Sequence, residues 1–276
     1  MLLQRVLTSI VLLLIILGSV FGLSENFFSL FIGLVISIAI WEWSALAGLS
    51  SLYGRAAYLL TMIAVMFISL HIPLPVFVSF SAGLVFWVIA FLLVCIFPAG
   101  GKAWGKMPIL LFAGLPLFIP GWLAFTWLRS QDHFAFHVLL LLGLVASADI
   151  GAFFAGKKFG RLPLSPSVSP NKTWEGFAGG LFASGLLISL VTIFLVSRTA
   201  EVNILLWVKY LLSALLIASF SVVGDLFESM IKRFRDVKDS GTILPGHGGM
   251  LDRIDGLNAG APIYALLVLL MTIGKL

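Results

Sequence analysis

Apolar positions dominate this chain, and the polar ones gather into short interruptions. Cutting the chain at those interruptions leaves nine apolar runs, at 5–23, 27–47, 57–71, 75–97, 108–127, 135–155, 177–197, 204–226 and 259–275. Most approach the roughly 20 residues that a helix needs to cross a bilayer, so the pattern predicts nine membrane-spanning helices. Runs 57–71 and 259–275 are short, and Pro73 and Pro75 flank the fourth run, which leaves eight or ten as neighbouring solutions. The first run has the outline of a signal peptide. Because the sequence begins at Met1, we expect a retained helix instead.

Composition agrees with the pattern. Residues of the AVILMFWYC set make up 61% of the 276 positions and charged residues 11%, against roughly 25% charged in an ordinary soluble domain. The one cysteine, Cys95, lies inside an apolar run, which excludes an internal disulfide. Net charge is +5, and its distribution is topological. With the N-terminus inside, Arg5, Arg55, Lys102, Lys106 and the basic residues at 157–172, 232–238 and 253 all face the cytoplasm, 13 in number. Only Arg129, Arg198 and Lys275 fall outside, with Lys209 near the outer end of the eighth run. That is the positive-inside pattern, and it makes no case for nucleic acid as a partner. The expected fold is therefore an all-α integral membrane protein, a polytopic bundle of about nine transmembrane helices with its N-terminus cytoplasmic. Trp104, Trp122, Trp127 and Trp207, near run ends, fit an interfacial aromatic belt.

The acids divide the chain into two regions. Residues 1–134 carry only Glu25, Glu42 and Asp132, whereas 135–276 hold the other nine, most of them at the predicted inner ends of the last four helices. We expect membrane helices in the first region and the chemistry, with its cytoplasm-facing polar loops, in the second. In "FSVVGDLFESMIKRF", Asp225, Glu228, Ser229 and Lys232 are spaced to share one helical face. In "MLDRIDG", Asp252 and Asp255 are three apart and point the same way if that segment is helical. Two acidic faces flanking one loop suit a hard cation such as Mg²⁺, which takes oxygen ligands and substrate phosphates. The loop between them, "LPGHGG", has glycines at 246, 248 and 249 that let backbone N–H groups approach an anion. His247 within it is a phosphate donor, a general acid or a turn residue.

A second constellation lies in "ASADIGAFFAGKKFGRLPLSPSVSPNKTWEG". Asp149 falls inside an apolar run, where an acid needs a polar cavity or a partner. Ser169, Lys172, Thr173 and Glu175 crowd before the seventh run, where Thr173 or Ser169 can cap the helix or its N-terminus can take an anion. Acids that hold metal, beside bases and helix ends that hold phosphate, point to phosphoryl or nucleotidyl transfer on a polyanionic substrate.

The run from Ser229 to Asp255, "SMIKRFRDVKDSGTILPGHGGMLDRID", resembles the signature of the phosphatidate cytidylyltransferases, or CDP-diacylglycerol synthases. Its fixed positions are met by Ser229, Lys232, Arg233, Lys238, Asp239, His247, Gly248, Gly249, Asp252, Arg253 and Asp255. "SPNKTWEG" and "DIGAFFAGKKFGR" are similar as well, so the likeness covers about half the chain. In the first half it extends only to a set of membrane helices with a "WEW" near the second. The resemblance implies a multi-pass enzyme of the bacterial inner membrane, its site facing the cytoplasm, that joins CTP to phosphatidate with Mg²⁺ and releases pyrophosphate. It further implies Asp225 and Asp252 as metal ligands with Asp255 beside them and Asp149 as a fourth candidate. A second cation would share these carboxylates. Lys232, Lys238 and Arg253 would offset triphosphate charge, with Asp239 and His247 in the same catalytic group. Lys172, Ser169, Thr173, Glu175, Ser229, Arg233, Gly248 and Gly249 would contact substrate, and the working unit would be a homodimer.

Two other readings compete. A CTP-dependent polyprenol or phytol kinase shares the chemistry but uses an alcohol acceptor that needs a base. An ion-coupled transporter would use Asp149 and Asp225 as intramembrane ligands, although clustering of the acids at one face speaks against it. A CDP-alcohol phosphotransferase is excluded, because no Asp follows Asp255.

Overall fold

A computed structural model describes residues 2–72, 75–199, 204–246 and 248–273, and the side chains within them except at 2–6 and 196–199. The chain folds into long helices: α1 (Leu2–Gly22), α2 (Glu25–Leu46), α3 (Leu52–His71), α4 (Val76–Ile96), the single turn α5 (Gly101–Trp104), α6 (Met107–Arg129), α7 (Phe134–Phe159), α8 (Trp174–Thr199), α9 (Ile204–Phe234) and α10 (Leu251–Ile273). Eight of them are long and apolar enough to span a bilayer, and α1 contributes a shorter apolar stretch, Leu7–Gly22. A small antiparallel hairpin, β1 (Pro163–Ser165) and β2 (Ser169–Thr173), interrupts the helical pattern between α7 and α8.

Helices α6 and α10 form the centre of the bundle. They carry the largest buried shares of the spans, and both contain internal prolines, Pro116 and Pro120 in α6 and Pro262 in α10. Prolines survive in such positions because neighbouring helices cover the freed backbone groups. Gly83 of α4 makes this packing close: a Cβ there would stand 2.8 Å from Pro120 and 3.1 Å from Pro262. Trp122 is only 5% exposed, with its indole N–H directed at the Ser29 carbonyl 3.4 Å away. It belongs to the core and not to an aromatic belt, because α6 is enclosed by other helices. Helices α7 and α8 approach through small residues, with Gly151, Gly179 and Gly180 facing Ala183, Ala155 and Ala148, the means by which membrane helices gain van der Waals contact.

The last two helices exceed the runs that predicted them. α9 continues to Phe234, two turns beyond the apolar run, and α10 begins at Leu251, eight residues before it. These polar extensions carry the acids. Gly224 lets them meet, since a Cβ there would collide with the Asp255 carbonyl.

Candidate active site

The α9 face forms as its spacing predicts. Ser229 donates from Oγ to Asp225 Oδ1 at 3.2 Å, and Lys232 Nζ lies 3.2 Å from Glu228 Oε1. Lys232 also reaches across to α10, where its Nζ is 2.5 Å from Asp252 Oδ1. Lys172, at the end of β2, places its ammonium 2.5 Å from Asp225 Oδ2. Two carboxylates from two helices are thus each neutralised by a lysine. Asp255 lies within the electrostatic field of Asp225, Lys172 and Lys232, and Asp149 within that of Lys172, Asp225 and Arg253. The site therefore gathers Asp149, Lys172, Asp225, Lys232, Asp252 and Asp255, which the sequence singles out from four separate segments.

One void is lined by members of this cluster, and a second shares part of its wall. A polar cleft of about 400 Å³ is lined by Asp149, Lys157, Asn171, Lys172, Thr173 and Asp225. An apolar chamber of about 610 Å³ lies next to it, walled by Phe91, Val94, Trp174, Phe177, Phe220 and Val223. Leu164, Phe177 and Val222 line both.

Other predicted residues hold the frame. Thr173 caps α8, its Oγ1 accepting the Gly176 N–H at 3.1 Å. The Glu175 carboxylate accepts the Arg161 and Leu162 N–H groups at 3.1 and 3.3 Å and so closes the hairpin. Arg233 donates to the Val168 carbonyl at 3.3 Å, next to Ser169. Gly249 donates its N–H to Asp252 Oδ2 at 2.8 Å, and Gly248 adopts φ 82°, where a Cβ would stand 2.8 Å from the same oxygen. Both glycines thus let the loop close on Asp252. Lys238, Asp239 and Arg253 are exposed on the surrounding surface, and His247 lies outside the described residues.

Among the described residues, no three Asp, Glu, His or Cys side chains stand ready at metal-ligand spacing; Lys232 is inserted between Glu228 and Asp252, and Lys172 covers Asp225. The donor chemistry nonetheless fits a hard cation. All the converging acids offer oxygen, and Glu228 Oε2 is buried without a hydrogen bond.

Sequence reasoning passed over Glu42. This acid of α2 is 3% exposed, and its carboxylate accepts from Ser240 Oγ at 3.0 Å, Met250 N at 3.0 Å and Leu251 N at 2.8 Å. Arg235, taken only as a topological charge, donates to the Leu46 and Ala47 carbonyls at 2.7 and 2.6 Å, capping the same helix. The signal for Glu42 was available: it is an acid inside an apolar run, flanked by Trp41 and Trp43.

A model of the cytidylyltransferase family matches residues 3–271. The chain belongs to that family. It is 42% identical to the phosphatidate cytidylyltransferase of Pseudomonas aeruginosa over 268 residues, covering 97% of both chains. Against the phosphatidate cytidylyltransferase of Haemophilus influenzae it is 36% identical over 292 residues, covering 96% of this chain and 98% of the other. The Bacillus subtilis phosphatidate cytidylyltransferase is 42% identical over 147 residues, 52% of either chain.

Proposed function

We propose that this protein transfers the cytidylyl group of CTP to phosphatidate, producing CDP-diacylglycerol and pyrophosphate for phospholipid synthesis. The observation that carries the reading is the junction of the polar cleft with the apolar chamber. An amphiphile whose phosphate lies at Lys172 can leave its acyl chains among Phe91, Trp174 and Phe220. Near full-length similarity to phosphatidate cytidylyltransferases supports the same substrate pair.

In this reading a phosphatidate oxygen attacks the α-phosphorus of CTP. One P–O bond forms as the bond to the β-phosphate oxygen breaks, and pyrophosphate departs. The nucleophile is already anionic, so no residue has to remove a proton. Lys172 orients the lipid phosphate, exchanging Asp225 for it, while Lys232, Lys238 and Arg253 offset charge on the triphosphate and on the leaving group. Asp225, Asp252 and Asp255 would hold Mg²⁺, which when bound neutralises phosphate charge as a Lewis acid. The site then faces the cytoplasm, the side that receives 13 of the 17 Lys and Arg residues when the N-terminus is inside.

The test is an assay of purified protein in detergent with CTP and Mg²⁺, with and without phosphatidate, identifying the lipid product by mass. CDP-diacylglycerol formed only when phosphatidate is present is the expected result. Phosphorylation of a polyprenol with release of CDP, and no product from phosphatidate, would replace this reading with a lipid kinase.

A further inference from the structure

From the contacts of Glu42 we infer that it is a positioning residue for the reaction: held in α2, outside the catalytic helices, it sets the orientation of Asp252 through Ser240 and the start of α10. The inference rests on the cytidylyltransferase reading for its kinetic part, and on geometry alone for its placement.

The first turn of a helix leaves backbone N–H groups without intrahelical partners. At α10 two such donors, those of Met250 and Leu251, turn away from the loop and are taken by the Glu42 carboxylate. A carboxylate at a helix N-terminus is favourable for its charge as well as its hydrogen bonds. Here the cap comes from a residue more than 200 positions away in sequence. Glu42 Oε2 also faces Ser240 Oγ at 3.0 Å, and that hydroxyl stands 3.0 Å from Asp252 Oδ2. Ser240 has one hydroxyl proton for two carboxylate oxygens, so the positions of Glu42 and Asp252 are coupled through it. The Ser240 and Gly249 N–H groups complete the set on Asp252 Oδ2, at 3.0 and 2.8 Å. Oδ2 is thereby committed to the protein, and Oδ1, now on Lys232, is the oxygen left to turn toward substrate and cation.

The fit around Glu42 is tight. A Cβ on Gly241 or on Gly249 would run into its carboxylate. Trp43, the next residue, stacks on Phe227 of α9 at 6.2 Å and donates to the Leu110 carbonyl of α6 at 3.0 Å, which ties α2 to both helices. The arrangement is that of an outer group that orients a ligand without touching the substrate, a type of contact whose loss costs about 10- to 100-fold in metal affinity or activity.

The experiment compares wild type with Glu42→Gln, Ser240→Ala and the double variant, each purified in detergent, with Glu25→Gln at the far end of α2 as control. Turnover is measured per folded molecule, and Mn²⁺ binding is followed without substrates by the paramagnetic resonance of free Mn²⁺. For Glu42→Gln we expect kcat lower by about tenfold or more and Mn²⁺ affinity weakened by a similar factor. KM for CTP should change much less, and the double variant should be no worse than Glu42→Gln. If Glu42→Gln fails to fold, Ser240→Ala alone must show the loss of Mn²⁺ affinity. Wild-type kcat and Mn²⁺ affinity in the folded variants would overturn the proposal, as would additive losses in the double variant. Since Mn²⁺ binding is read without CTP or lipid, a wrong assignment of substrates would leave that result standing.

Discussion

Asp252 illustrates how much the two oxygens of one carboxylate can differ. Oδ2 accepts the N–H groups of Ser240 and Gly249 and shares the Ser240 hydroxyl with Glu42, whereas Oδ1 has the Lys232 ammonium 2.5 Å away. Lys232 is 13% exposed in its side chain, and its acidic partners Glu228 and Asp252 are 4% and 6% exposed. Removing a charge from a buried ionic group leaves the remaining charges uncompensated, at about 3–5 kcal/mol. Lys232→Met should therefore lower the thermal unfolding midpoint of the detergent-purified protein clearly, beyond any loss of turnover. Adding Glu228→Gln should restore part of it, because the double variant removes one of the two stranded carboxylates. Equal midpoints for wild type and Lys232→Met would mean that the ammonium contributes nothing to the fold. At this scale the sequence was most informative where acid and base share a short segment, as at 225–232, since helical spacing alone decides which side chains meet. The Lys172 to Asp225 and Glu42 to Ser240 contacts span 53 and 198 residues. Spacing along the chain carries no information about such pairs.

The helices obey a different logic. Apolar runs mark the part of a helix that lies in lipid or against other helices, so they located every long helix among the described residues. They misjudged the ends of α9 and α10, where the helix continues as a polar surface facing a cleft. The hairpin at 163–173 also went unseen. Its strands are of three and five residues, too short for an alternating pattern, and Glu175 and Arg233 hold it from the helices on either side. Packing of α7 against α8 gives a prediction proper to this scale. A Cβ on Gly180 would lie 2.7 Å from the Ala148 carbonyl oxygen, so Gly180→Val must push the two helices apart. Overpacking of this kind costs about 1–3 kcal/mol, and the unfolding midpoint should fall accordingly. Gly18→Ala in α1 has open space around it, and there the better helix propensity of Ala should leave the midpoint unchanged or raise it. A midpoint for Gly180→Val equal to that of wild type would show that α7 and α8 do not depend on close backbone approach.

For the whole molecule, most of the acids and most of the bases lie at one end of the bundle. At that end Glu42 and Arg235 join α2 to the start of α10 and the end of α9, so residues from both halves of the sequence meet beside the candidate site. Orientation in the bilayer then decides which compartment supplies the nucleotide. With the N-terminus inside, thirteen Lys and Arg residues lie on the same side as the loop at 235–250 and only three lie clearly opposite. Moving so many charges across the membrane is opposed during insertion, whereas long basic side chains on the inner side are attracted to anionic lipid headgroups. The prediction is made in a Cys95→Ala background, so that an introduced cysteine is the only thiol. Val237→Cys, on the exposed surface beside the site, should react with an impermeant maleimide in inside-out vesicles and stay unlabelled in intact cells. Asp132→Cys, in the turn between α6 and α7, should do the reverse. Labelling of position 237 from outside would place the acids and lysines of the cleft away from cytoplasmic CTP, and the positive-inside distribution would then need another cause than topology.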